Sequence, residues 1–108
     1  MVSNHGGRQL DGSISPFDAL AAIVDAVGDK VEVICDGGIT RGTHVLKALS
    51  VGAKACSGGR LYLYALAAAG EDGVARAIAL LRAEMERGMK LMGAKSLADL
   101  GAGNLRWR

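Results

Sequence analysis

What most limits the fold open to this chain is an alternation of helix, strand and glycine loop that runs through twice within 108 residues. Ser15-Pro16-Phe17-Asp18 is a helix opening. Serine can cap, proline suits the first helical position, and an aspartate three residues on can reach back to exposed backbone amides. Phe17, Leu20, Ile23, Val24 and Val27 recur at helical spacing, and Gly28 follows as a stop. Val31 to Cys35 reads as a short, β-branched, buried strand ending at Asp36-Gly37-Gly38. Thr43 then offers a cap for a second helix carrying Val45, Leu46, Leu49 and Val51, which stops at Gly52. A second strand, weaker by propensity, is expected over Ala53 to Ser57 and ends in Gly58-Gly59-Arg60. An alanine-rich helix to Ala69 follows, then a long helix from Asp72 to Met92 with Val74, Ile78, Leu81 and Met85 on one face. Ser96-Leu97-Ala98-Asp99 opens a last turn.

This order marks parallel α/β structure, in which ligands sit at the C-terminal ends of the strands. Two short strands cannot complete such a sheet, because both faces need covering and at least one edge stays bare. A closed (β/α)8 barrel takes about 250 residues, so the chain reads as about a quarter to a third of one. No strand is expected ahead of the polar segment that follows Val2, which points the same way: residues 1–108 are one portion of a longer domain, two parallel strands alternating with helices, incomplete on their own.

Composition removes several function classes. Thirteen basic residues against eleven acidic ones, mixed along the chain, give a net charge of +2 and no basic stripe for nucleic acid. Phe17, Tyr62, Tyr64 and Trp107 do not form a stacking platform either. Arg106-Trp107-Arg108 reads as a solvated tail. Cys35 and Cys56 lack C-x-x-C or ligand spacing and read as buried strand thiols in a reducing compartment, the cytoplasm, with no metal site. The longest apolar run, Leu61 to Ala69, falls far short of the roughly twenty residues a membrane span needs. The N-terminus lacks the basic and apolar stretches of a secretory signal.

Three loop segments carry chemistry. In Ser3-Asn4-His5-Gly6-Gly7-Arg8-Gln9-Leu10-Asp11, an imidazole and a guanidinium flank two glycines that let backbone approach a ligand. Arginine holds a carboxylate with paired hydrogen bonds, and histidine can take and return a proton beside it. A bare H-x-x-R is more often a surface histidine and a salt-bridging arginine. Asp36-Gly37-Gly38-Ile39-Thr40-Arg41-Gly42 and Gly58-Gly59-Arg60 each follow a strand and precede a helix, where backbone amides and a helix N-terminus can meet a phosphate. In barrel enzymes such loops after the last two strands are frequent phosphate sites. The same glycines could also serve tight turns alone, with Asp36 a helix cap. Neither segment is a G-x-G-x-x-G or a Walker loop.

Taken in this order, the residues resemble the FMN-dependent α-hydroxy-acid dehydrogenases and oxidases, a family that includes L-lactate dehydrogenase, mandelate dehydrogenase and glycolate oxidase. The likeness begins with the nine-residue run from Ser3 to Asp11. It continues through Asp36-Gly37-Gly38, Arg41-Gly42-Thr43, Val45-Leu46-Lys47-Ala48-Leu49, Gly52-Ala53 and Gly59-Arg60 to Arg82-Ala83-Glu84-Met85. It covers nearly the whole chain and corresponds to the C-terminal part of the family's TIM barrel, from the end of strand six onward. The resemblance implies that His5 is the catalytic base, removing a proton from an L-2-hydroxy acid such as lactate as two electrons pass to FMN. It implies that Arg8 binds the substrate carboxylate. Asp36, Gly37 and Gly38 would line the ribityl and phosphate region of FMN, with Gly59 and Arg60 completing the phosphate site.

The chain departs from the family at three positions flanking the site. Thr40 stands where arginine is common, so Arg41 or the threonine hydroxyl must take over part of the cofactor grip or leave it weaker. His44 stands where aspartate is usual and reads as a surface residue near a helix N-terminus. Leu61 stands where proline is common. Flavin-ring contacts and the aspartate that orients the histidine come, in the family, from upstream strands, so the 108-residue chain alone is expected to show no appreciable turnover. Two other readings remain: a phosphate- or flavin-binding module without chemistry, and a half-barrel that self-associates through its exposed strand edges. The residues do not specify an electron acceptor.

Overall fold

The computed structural model describes residues 1–107. Helix α1 (Pro16–Val27) starts where the sequence says it should, with the Ser15 hydroxyl accepting the Asp18 amide at 3.4 Å and Pro16 in the first turn. Its inner face carries Leu20, which is fully buried, a burial that contributes about 2 kcal/mol. Strand β1 (Ile34–Asp36) pairs in parallel with β2 (Ala55–Ser57), in the register Ile34 to Ala55, Cys35 to Cys56 and Asp36 to Ser57. Helix α2 (Gly42–Val51) connects them.

Both strands are shorter than their apolar runs. Val31 is exposed, and its amide donates to the Val27 carbonyl, which makes it part of the exit from α1 and not the first residue of β1. Ala53 is similarly tied back to the Ala48 carbonyl at the end of α2. Lys54 N–H donates to the Val33 carbonyl at 2.8 Å, so pairing begins just ahead of the regular ladder.

The segment expected to precede any strand in fact touches the sheet. Val2 donates to the Ile34 carbonyl and accepts from the Asp36 amide, both at 2.8 Å, forming a parallel bridge opposite Cys35. Val2, Leu20, Val33, Cys35, Ala48 and Ala53 make the core. Cys35 is enclosed there, whereas Cys56 on the outer strand is only partly covered; burial pushes its thiol up to about 11.

The two helices expected beyond β2 are both present, as two limbs of α3 (Gly59–Met92) parted by a kink at Ala69 and Gly70, where Gly70 takes φ 58° and ψ −140°. The second limb lies against α2. Its inner stripe is Val74, Ala77, Leu81, Met85 and Gly88, while Ile78, expected inside, is 61% exposed. Ile78, one residue after Ala77, falls off that stripe. The two helices come close where glycines allow it: a Cβ on Gly42 would lie 2.5 Å from the Leu81 carbonyl oxygen, and one on Gly88 would lie 2.5 Å from a Leu46 methyl. The last turn, Leu97–Asp99, forms as expected, with the Asp99 carboxylate accepting from the Lys95 and Ser96 amides at 2.8 Å. These bonds hold that carboxyl below its ordinary range. Trp107 is not simply a solvated tail, since it stacks on Phe17 at 5.7 Å and roofs an apolar cavity of about 380 Å³ beside α2.

Candidate functional site

A cavity of about 410 Å³ opens at the C-terminal ends of the strands. His5, Arg8, Asp36, Gly37, Gly38, Thr40, Gly59 and Arg60 all line it, together with Gly6, Ile39, Leu61, Leu63 and Tyr64. Three segments far apart in sequence therefore converge on one volume, as a ligand-binding reading of them requires. Of the residues singled out from the sequence, only Arg41 is absent from the lining.

Arg41 is turned away by an ion pair. Its Nε donates to Glu84 Oε1 of α3 at 2.9 Å, and the other carboxylate oxygen accepts the Gly42 amide at 2.7 Å. Those bonds, the Gly42 amide first, hold the Glu84 carboxyl below its usual range. Glu84 thus does the capping expected of Thr43, which lies inside the helix, and it already complements the positive end of α2. The N-terminus of α3 differs, with no acidic residue in its first turn and Gly59 and Arg60 facing the cavity. Of the two helix ends expected to meet a phosphate, α3 is the one left for an anion.

The loop between β1 and α2 makes its turn with two glycines in left-handed conformation, Gly37 at φ 113° and Gly38 at φ 74°. Gly37 has no room for a side chain, since a Cβ there would lie 2.9 Å from Pro16 Cγ. His44 is not an idle surface residue. Its Nδ1 lies 3.0 Å from the Gly38 carbonyl oxygen and 3.3 Å from the Thr40 amide nitrogen, bracing the turn from behind.

The first loop is tied to the other two by hydrogen bonds from Ser3 to Asp36 and from Arg60 to Gly6. Ser3 Oγ donates to Asp36 Oδ2 at 2.5 Å and accepts the His5 amide at 3.0 Å. Arg60 Nη2 donates to the Gly6 carbonyl at 3.0 Å, which leaves the remaining N–H groups of the guanidinium for a ligand. His5 sits in a 3-10 turn, His5–Gly7, at φ 55°, the only non-glycine positive φ among the described residues. A left-handed residue with a Cβ costs about 1 to 2 kcal/mol. Backbone strain of this kind is concentrated at functional positions.

The site can hold an anionic group at Arg60, Gly59 and the Gly37–Gly38 turn, and a second anion at Arg8 beside a proton acceptor, His5. Among the described residues no cluster of side chains is arranged to hold a metal, and no helix is long and apolar enough to cross a membrane.

Residues 1–107 match the family of FMN-dependent dehydrogenases. Over 100 residues the chain is 52% identical to an L-lactate oxidase of Nostoc sp., covering 93% of this chain and 27% of that protein. It is 50% identical over 100 residues to 2-hydroxyacid oxidase 2 of Rattus norvegicus, covering 93% of this chain and 28% of that one. A solved (S)-mandelate dehydrogenase superposes with a TM-score of 0.91 at 43% identity, over 96% of this chain and 29% of that structure. A flavocytochrome b2 superposes at 0.90 and 48% identity, over 97% and 28%. The chain spans 27% to 29% of the length of these relatives. Its strands and helices correspond to part of the TIM barrel of such flavoenzymes, as the alternation implied. By sequence and by fold alike, this chain belongs to the FMN-dependent dehydrogenase family.

Proposed function

We propose that this chain forms the proton-accepting, carboxylate-binding and cofactor-phosphate part of an enzyme that oxidises an L-2-hydroxy acid, lactate foremost, to the 2-oxo acid. The observation that carries the reading is the convergence of His5, Arg8, Arg60 and the Gly37–Gly38 turn on one cavity. The residues present suit FMN. The left-handed glycines and the uncapped start of α3 make a concavity for a phosphate, Arg60 supplies the charge, and Asp36 can accept from ribityl hydroxyls. Thr40 lines the cavity and Arg41 does not, so the threonine takes the place where the family commonly has arginine, and the cofactor grip is the weaker for it. Bound there, FMN would supply the two-electron acceptor.

The chain's own residues do the rest. Arg8 fixes the substrate carboxylate through paired hydrogen bonds and so places the hydroxyl-bearing carbon. His5 takes the proton that the substrate loses as its electrons leave, and later returns it to solvent. Among the described residues neither the His5 ring nor the Arg8 guanidinium has a hydrogen-bond partner. The ring therefore has no fixed tautomer here, and the isolated chain has no appreciable turnover. Cytoplasmic location, and the role of residues 1–108 as one part of a larger catalytic domain, belong to this reading.

The test is a chimera in which this chain replaces the matching segment of the Nostoc L-lactate oxidase. Lactate should reduce its flavin. A chimera that folds with FMN bound and is not reduced by lactate or any other 2-hydroxy acid refutes the proposal. A second reading, self-association, is favoured by one observation: β2 is an edge strand with Ala55 exposed. Light scattering on the isolated chain decides it, a monomer counting against.

A further inference from the structure

We propose that Nδ1 of His44 is a proton-dependent latch on the turn lining the cavity, binding the Gly38 carbonyl when protonated and the Thr40 amide when not. The proposal rests on the reading of the cavity as a phosphate site. Nδ1 lies 3.0 Å from the Gly38 oxygen, 3.3 Å from the Thr40 nitrogen and 3.5 Å from Thr40 Oγ1. A carbonyl only accepts and an amide N–H only donates, while one ring nitrogen is either donor or acceptor at a given moment. The two contacts therefore exclude each other.

Gly38 and Thr40 line the cavity, and His44 does not. His44 is thus a positioning residue that acts through the turn. With Nδ1 unprotonated, the ring holds the Thr40 N–H and draws on its hydroxyl. With Nδ1 protonated, the ring holds Gly38 instead, and the Thr40 hydroxyl, which can rotate, is released to an anion in the cavity.

The charged groups around the ring come from every neighbouring element. Arg41 precedes it and is paired with Glu84 of α3, and Lys47 follows one turn along α2. Asp36 of β1, Arg60 of α3 and His5 of the first loop line the cavity on the other side of the turn. Asp36 is engaged by Ser3 and Arg60 by Gly6. An anion drawn in by Arg60 competes for the Thr40 hydroxyl and adds negative charge near the ring, and both effects favour a proton on Nδ1. Coupling of this kind is reciprocal, so a proton on Nδ1 tightens anion binding by the same factor.

The chain holds two histidines, so 15N-histidine labelling, with the His5→Asn variant for assignment, reads the His44 ring directly. The probe is sulfate, whose charge is constant over the pH range used. As the Gly59 and Arg60 amides report saturation, the His44 Nδ1 resonance should move from the unprotonated to the protonated position. Acidification should raise sulfate affinity in the wild type by roughly threefold to tenfold more than in His44→Asn, the worth of one net hydrogen bond. The asparagine amide can serve Gly38 or Thr40 without titrating, so the turn keeps its brace while losing the latch, and the His5 contribution cancels between the two proteins. Saturation with Nδ1 unchanged, or an identical pH dependence in His44→Asn, overturns the latch. No response of Gly59, Arg60 or Thr40 to sulfate overturns the phosphate reading itself, and the proposal with it, by a different and recognisable result.

Discussion

The two sides of the cavity are built differently. On the side of the β1–α2 loop and the start of α3, both side chains and backbone are held: the Arg41 guanidinium and the Gly42 amide by Glu84, the backbone of the Gly38–Thr40 turn by His44, and the Arg60 guanidinium by the Gly6 carbonyl. On the side of the first loop the His5 amide is held by Ser3 and the Gly6 carbonyl by Arg60, while the His5 ring and Arg8 guanidinium line the cavity with no hydrogen-bond partner among the described residues. On the proposed reading this segment holds what would anchor a phosphate, whereas among the described residues no side-chain hydrogen bond fixes the orientation of His5 or Arg8.

That contrast can be broken in four ways. The largest effect is expected from His5→Asn in the chimera, where loss of a general base should slow flavin reduction by lactate about 100- to 10,000-fold. Asparagine tolerates the left-handed conformation, so the variant's stability should be unchanged or higher by about 1 kcal/mol, read by urea denaturation. Next, Arg60→Met should weaken FMN binding roughly tenfold to 100-fold, the worth of a charge-assisted hydrogen bond, measured by quenching of flavin fluorescence. Riboflavin, which lacks the phosphate, should bind both proteins alike. Third, Gly42→Ala should destabilise the chain by about 1 to 3 kcal/mol, because the new Cβ must displace the Leu81 carbonyl.

The smallest effect is the acid limb contributed by Glu84. Its folded carboxyl titrates below its ordinary range, so its contribution to stability is present above that range and fades as pH falls through the lowered value. Glu84→Gln should flatten the loss of stability on that acid side and change little near neutrality, as followed by thermal melts at several pH values. An equally steep acid limb in the variant would assign it to other carboxylates, of which Asp99 is one.

Much of the scaffold was legible because it is local. Ser15-Pro16 fixed the start of α1 and Gly28 its end, and the glycines after each strand marked where the cavity would open. Eight of the nine site residues chosen from loop position and family likeness line that cavity. What was not legible depends on contacts across long stretches of chain. Thr43 is the better cap by residue type, and nothing near it signals that a glutamate 42 residues beyond Gly42 supplies the cap. Arg41 looked available for a phosphate for the same reason. His44 reads as a surface residue from sequence because its contacts depend on the shape of a turn, which spacing does not encode. Ile78 belongs inside by hydrophobicity, but the helical phase gives the contact with α2 to Val74, Ala77, Leu81, Met85 and Gly88 and leaves Ile78 outside it.

The break at Ala69 and Gly70 has a consequence for how the molecule opens. A helix of 34 residues with a continuous ladder would melt as one unit, but here the ladder is interrupted at a backbone geometry that glycine alone adopts without strain. Amide hydrogen exchange should therefore divide α3 into two blocks. The block holding Arg60 carries exposed Tyr62, Leu63, Tyr64 and Leu66 and should exchange early. The block holding Glu84 should follow α2, so Arg60 and the start of α3 can come loose while the scaffold around the cavity remains folded.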